Sequence, residues 1–252
     1  MMSKESYKMD MCNGPVLQKV IAFSLPLMLS SCLQLLFNAA DVIVVGRFAG
    51  STSLAAVGST TELLSLLTTL FIGFSIGANV NVARTLGNQD DQGTKDGVHT
   101  AISVSILSGS AMILLGFLFG RPMLQWMGTP ADVIDKASLY LMIIFIGMPS
   151  NMAYNFGSAI LRAMGDTKRP LYFLSAAGVL NVVLNLIFVI VLHMDVAGVA
   201  LATILSETLS AVLILNCLCR TDGPCHLNIR KLYIQKDQLI RMLRIGLPAG
   251  IQ

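Results

Sequence analysis

Three carboxylic acids of this 252-residue chain fall inside long apolar stretches: Asp41, Glu62 and Glu207. Loss of water penalises an ionised carboxylate heavily, so an acid in such a place exchanges a proton or holds a cation. Asp41 has the most developed surroundings. Gln34, Asn38 and Asp41 are spaced i, i+4, i+7 and share one helix face. Other stretches offer Asn181 with Asn185, then Thr203, Ser206, Glu207 and Ser210, and then Asn151, Tyr154, Asn155 and Ser158. Carboxylate, amide and hydroxyl oxygens are the ligands of hard cations. Asp41, Asn181, Asn185 and Thr203 are therefore candidates for a coupling-ion site that takes Na⁺. In the alternative, Asp41 takes a proton and the asparagines hydrogen-bond its neutral form. Gln34, Asn38, Asn151, Tyr154, Asn155 and Glu207 are candidates for lining a substrate cavity, with Glu207 as counter-charge to a cation. The bland reading of the same amides and hydroxyls is glue between helices. Glu62 ranks last of the three acids, as a residue of a watery vestibule.

The elements that must position these groups are membrane helices. Crossing a bilayer takes about 20 mostly apolar residues at about 1.5 Å each. Six stretches qualify: Val20–Val45, Leu54–Val82, Val98–Phe119, Ala137–Leu161, Pro170–Leu192 and Val196–Leu218. The chain is 54% apolar before its 21 glycines are counted, and only 12% charged. Soluble domains carry about twice that charge. So few charges cannot cover a water-facing surface, and a net charge of +3 is too small for a polyanion binder. Most soluble enzymes, a disordered chain and a nucleic-acid partner are excluded; the partner implied is the lipid bilayer. The first apolar stretch is too long for a signal-peptide core.

The basic residues sort by side. Lys4, Lys8, Lys19, Arg84, Lys95, Arg162, Lys168, Arg169 and the basic residues of the tail from Arg220 to Arg244 fall on one face; Arg47, Arg121 and Lys136 fall on the other.

 The tail set is Arg220, Arg230, Lys231, Lys236, Arg241 and Arg244, six residues in all. The basic excess places the N-terminus and the segment after Leu218 in the cytoplasm of a multi-pass protein of the cell membrane. Arg162 is counted there as the residue that closes the fourth helix. Asn88–Lys95 reads as a polar turn, and His99 and His193 as helix-end residues. Cys217, Cys219, Cys225 and His226 match no strong zinc spacing, so they read as unliganded, and no cofactor is expected. Pro26 removes a backbone donor inside the first helix and is a candidate hinge, with a static kink as the plainer reading. Gly73 with Gly77 and Gly116 with Gly120 are small-xxx-small pairs suited to close helix packing. The 14 methionines read mostly as lipid-facing or packed between helices.

The end of the chain repeats its beginning. Leu17–Ser30 and Leu239–Gln252 align with Leu17/Leu239, Leu25/Leu247 and Pro26/Pro248 identical. Six helices return the chain to its starting side, where a second unit begins in the same orientation. This is the plan of parallel-repeat transporters. The expected organisation is a six-helix lobe over 1–219, an inter-lobe linker over 220–238 and the start of a second lobe over 239–252. The partner of the first lobe is then the C-terminal lobe of the same protein.

Several segments together resemble the multidrug and toxic compound extrusion (MATE) family. They are the run from Phe23 to Phe48, with Leu25-Pro26 early and Asp41 late, and F-I-G-F-S-I-G-A-N-V followed by A-R-T-L-G-N-Q-D. L-R-A-M-G-D-T-K-R-P from Leu161 to Pro170, N-V-V-L-N from Asn181, and the run from Val196 to Glu207 complete the set. The resemblance covers nearly the whole chain. It implies an all-α integral membrane fold of twelve helices in two lobes, of which this chain carries the N-terminal six and the start of the seventh. It also implies export coupled to entry of Na⁺ or H⁺, with an acid in helix one working beside polar residues of helix five: Asp41, Asn181 and Asn185. Two positions depart from the family pattern. Ala163 stands where Gly is frequent, and Asn185 where some relatives carry a second acid, which leaves Na⁺ and H⁺ both open.

The function expected is a secondary active antiporter that exports organic cations by alternating access. No P-loop, H-E-x-x-H or G-x-S-x-G is present, so no enzyme is expected. A flippase of lipid-linked sugars would want a basic cavity, which the spans do not provide. A channel is the remaining alternative, and a two-repeat plan with polar groups near the midplane speaks against it.

Overall fold

A computed structural model describes residues 16–251. Among them there is no strand. The helices are α1 (Val16–Phe48), α2 (Ser51–Gly87), α3 (Asp91–Trp126), α4 (Ile134–Ala163), α5 (Lys168–Asn185), α6 (Asp195–Cys219) and α7 (Lys236–Ile251). The first six are long and apolar enough to cross a membrane, with α5 continuing through a wide π-helical turn at Leu186–Val191. Lys4 and Lys8, and with them the N-terminal part of the charge argument, lie outside the described residues, as does Gln252.

The helices outrun their apolar stretches, because backbone hydrogen bonding continues into the polar layers where hydropathy stops. The clearest correction is Asn88–Lys95, expected as a turn throughout. Asp90 caps α3 by accepting from the Gly93 amide at 2.9 Å, so the helix already begins at Asp91. The fifth span, expected as a uniform helix to Leu192, leaves α-geometry directly after Asn185.

Side chains hold the connections at both ends of the bundle. At one end of the bundle Lys136 of α4 reaches Ser53 of α2 at 2.9 Å and Asp195 of α6 at 2.5 Å. At the other end, between α4 and α5, Asp166 is fully buried; it accepts from the Lys168 and Arg169 amides at 3.2 and 3.1 Å and pairs with the Arg169 guanidinium. That end also carries the strap between α6 and α7, so it is called here the linker end. Tyr233 of the strap stacks on His99 with ring centroids 5.2 Å apart, and its hydroxyl donates to Asp96 at 2.6 Å. Burial, and then the neighbouring Asp96 carboxylate, push the Tyr233 hydroxyl up to about 12.

His99 is not a solvated helix-end residue: it is 1% exposed. Its Nδ1 lies 2.9 Å from the Lys95 carbonyl and its Nε2 accepts from the Asn228 amide at 3.2 Å. A carbonyl can only accept, so the proton sits on Nδ1. Among the described residues no three His, Cys, Asp or Glu side chains converge to hold a metal. The small-residue pairs meet close neighbours. Gly116 lies against the Phe145 ring of α4, and Gly73 and Gly77 lie against the backbone of α7.

Two apolar clusters fill the bundle. One, around Phe145, Leu141 and Met112, occupies the end opposite the linker. The second, around Phe156, Ile160 and Ile214, lies toward the linker end and takes in Leu227 of the strap. The polar face of α1 and its partners lies between them.

Candidate functional site

The polar stripes meet in one cavity of about 570 Å³. α1 contributes Gln34, Asn38 and Asp41, and α4 contributes Asn151, Tyr154 and Asn155. α5 supplies Asn181, and α6 supplies Thr203, Ser206, Glu207 and Ser210. α2 adds Ser65, Thr68 and Thr69. Among the described residues no Lys or Arg lines it. The α2 hydroxyls were missing from the sequence reading. Their signal was a polar run in an apolar helix, but Thr68 and Thr69 bond back to the Leu64 and Ser65 carbonyls, as such residues do in any membrane helix.

Asp41 is half-buried and accepts a hydrogen bond from the Asn185 amide of α5. The same amide donates to Asn181 Oδ1 at 3.2 Å. Asn185 is fully buried behind Asp41, so it touches the acid and does not itself line the cavity. Its own Oδ1 is buried with no hydrogen-bond partner. An acceptor left in this way is costly unless something comes to it. Thr203 donates to the Val199 carbonyl at 3.0 Å, which leaves its oxygen lone pairs for another group. The second acid is held separately: Asn151 donates to Glu207 at 2.8 Å, and Asn155 donates to Asn151 Oδ1 at 2.9 Å. An amide that donates to a carboxylate is compatible with its charged form and with a cation on its free lone pairs.

Glu62 is not part of this cavity. It lines a second opening between α2 and α7, with Gly250 and Ile251. Pro26 sits in the first half of α1, with Ser30 Oγ bonded to its carbonyl at 2.8 Å; it is not a lining residue. Arg162 stands in the last turn of α4, as the residue that closes the fourth helix. Its side chain lines a small pocket beside the cavity, because Nε turns back to the Ser158 carbonyl at 3.2 Å.

A bundle of membrane-crossing helices around an acid-lined polar cavity defines a multi-pass membrane protein built like the lobe of a transporter. Comparison with known proteins gives the family. The MatE family model matches residues 26–187, and the chain belongs to that family of MATE transporters. It is 31% identical over 247 residues to the probable multidrug resistance protein YpnP of Bacillus subtilis, covering 96% of this chain and 54% of that one. To the multidrug export protein MepA of Staphylococcus aureus it is 24% identical, covering 94% and 52%. Among solved structures, MATE in the bent conformation superposes with a TM-score of 0.87 at 27% identity, covering 94% of this chain and 53% of the other. A MOP-superfamily transporter from Pyrococcus furiosus gives 0.85 at 28%, covering 93% and 52%. The chain therefore spans about half the length of the relatives it matches.

Proposed function

We propose that this lobe is half of a secondary active antiporter that exports organic cations in exchange for Na⁺ or H⁺. In this reading Asp41, with Asn181, Asn185 and Thr203, is where the coupling ion exchanges. Gln34, Asn38, Asn151, Tyr154, Asn155 and Glu207 face the substrate. A C-terminal lobe supplies the other wall of the central cavity, and Pro26 is the hinge of α1. The protein acts as a transporter and not as an enzyme, needs no cofactor beyond the coupling ion, and sits in the cell membrane with its N-terminus in the cytoplasm.

One observation carries the reading: a buried asparagine from α5 bonds the α1 acid at the wall of a cavity that holds a second acid and, among the described residues, no basic one. A cation or proton arriving at Asp41 competes with the Asn185 amide and finds the unpartnered Asn185 oxygen close by. Organic cations complement the same negative wall. A sugar-pyrophosphate flippase would want the opposite sign there. The relatives named as multidrug resistance and export proteins agree with this substrate class.

The test uses the full-length protein in sealed vesicles. Efflux of a fluorescent organic cation is followed under imposed Na⁺ and pH gradients, for wild type and Asp41→Asn. Efflux driven by one gradient and lost in the variant is expected, and the effective gradient names the ion. A variant with wild-type coupling would remove Asp41 from the mechanism.

A further inference from the structure

Arg162 lies beside the acid-lined cavity with an unspent charge. Its Nε bonds the Ser158 carbonyl one turn earlier, so the guanidinium points back along α4 and not out over the loop. It enters a pocket of about 150 Å³ between α1, α4 and α5. The four N–H groups on its two Nη atoms remain for other partners. Among the described residues no carboxylate pairs with it. In the same pocket the Ser158 hydroxyl is 3% exposed and has no hydrogen-bond partner. The other hydroxyls there already donate: Tyr154 to the Pro170 carbonyl at 3.3 Å, Ser30 to the Pro26 carbonyl at 2.8 Å and Ser31 to the Leu27 carbonyl at 3.2 Å. The wall thus holds free donors and no carboxylate to take them.

A cation near a helix C-terminus is favoured by the helix dipole, and that alone would account for an arginine at the end of α4. It does not account for the turn inward or for the orphaned Ser158 hydroxyl. A guanidinium presents a flat fork that matches two oxygens of a carboxylate or phosphate, and Arg162 is half-buried with neither beside it. Tyr154 and Asn155 line both this pocket and the main cavity. Ser158 follows Asn151, the residue that holds Glu207, by seven positions, or about 10 Å along the helix.

We infer that the Arg162 pocket is a subsite for the oxygens of an anionic group. Two sources share that chemistry. One is the carboxylate or phosphate of an extended zwitterion whose cationic end lies by Glu207; this source rests on the cavity being the substrate site. The other is the phosphate of a lipid headgroup reaching in between α1 and α5.

The test uses the full-length protein in nanodiscs of neutral phosphatidylcholine. Equilibrium binding of ω-(trimethylammonio)octanoate is compared with that of its methyl ester, a pure cation of similar length. Arg162→Gln is expected to weaken the zwitterion about 10- to 100-fold, the worth of a charge-assisted pair, and to leave the ester within about 2-fold. In a second arm, nanodiscs are doped with phosphatidylglycerol and retained lipid is read by native mass spectrometry. Retention by wild type and loss in Arg162→Gln, with the zwitterion arm flat, assigns the subsite to a headgroup. If neither probe distinguishes wild type from the variant, or if zwitterion and ester fall equally, the inference is overturned. Should Arg162→Gln not fold, Ser158→Ala and Arg162→Lys are read by the same two ratios. Failure of the ester to bind wild type would refute the cavity as substrate site, and the lipid arm would still decide the pocket.

Discussion

The crossing of α2 and α7 allows a prediction whose size follows from the coordinates. A Cβ added at Gly77 would stand 2.1 Å from the Met242 carbonyl oxygen and 2.9 Å from the Gly246 nitrogen. Both are backbone atoms of α7, so no side chain can swing aside. Gly77→Ala requires the two helices to part by about 1 Å to restore an ordinary contact, an overpacking cost of about 1–3 kcal/mol. Gly58→Ala is the control in the same helix, since its Cβ would meet nothing within 4 Å. There the loss of glycine's backbone entropy stabilises by up to about 1 kcal/mol. Hydrogen exchange of the full-length protein in detergent reads the difference. Amides of α7 should exchange about 5- to 150-fold faster in Gly77→Ala, the kinetic equivalent of 1–3 kcal/mol of easier opening, and no faster in Gly58→Ala. Equal exchange of α7 in the two variants would refute the claim that these helices meet backbone to backbone.

Two further outcomes are expected. Asn185→Ala removes the donor to Asp41, a bond to a charged group worth about 1.5–3 kcal/mol. The concentration of coupling ion for half-maximal efflux should shift about 10- to 100-fold, and an unchanged ion dependence would dismiss Asn185 from the site. Tyr233→Phe keeps the stack on His99 and loses the bond to Asp96, about 0.5–1 kcal/mol at a partly exposed position, so strap amides should exchange faster. Because the folded phenol is raised to about 12, its contribution is complete below the ordinary tyrosine range near 10 and fades as pH rises through about 12. An ultraviolet titration of wild type against Tyr233→Phe should show one phenol ionising late; a midpoint near 10 would contradict the Asp96 bond.

Composition and run length were enough for the membrane class and for six helices, because a bilayer imposes a length and a polarity that can be read one residue at a time. Periodicity was enough to put Gln34, Asn38 and Asp41 on one face, because the helical repeat is local. The rest depended on which helix stands beside which. Only packing brings Asn185 to Asp41 and Asn151 to Glu207, across 144 and 56 residues of chain. Only packing sends Glu62 to a different opening and adds the α2 hydroxyls to the cavity. Arg162 shows the limit most clearly. In sequence it is one more basic residue at a helix end. In three dimensions its rotamer turns it toward the cavity, because a long side chain at the end of a helix can face either layer and its neighbours on other helices decide which.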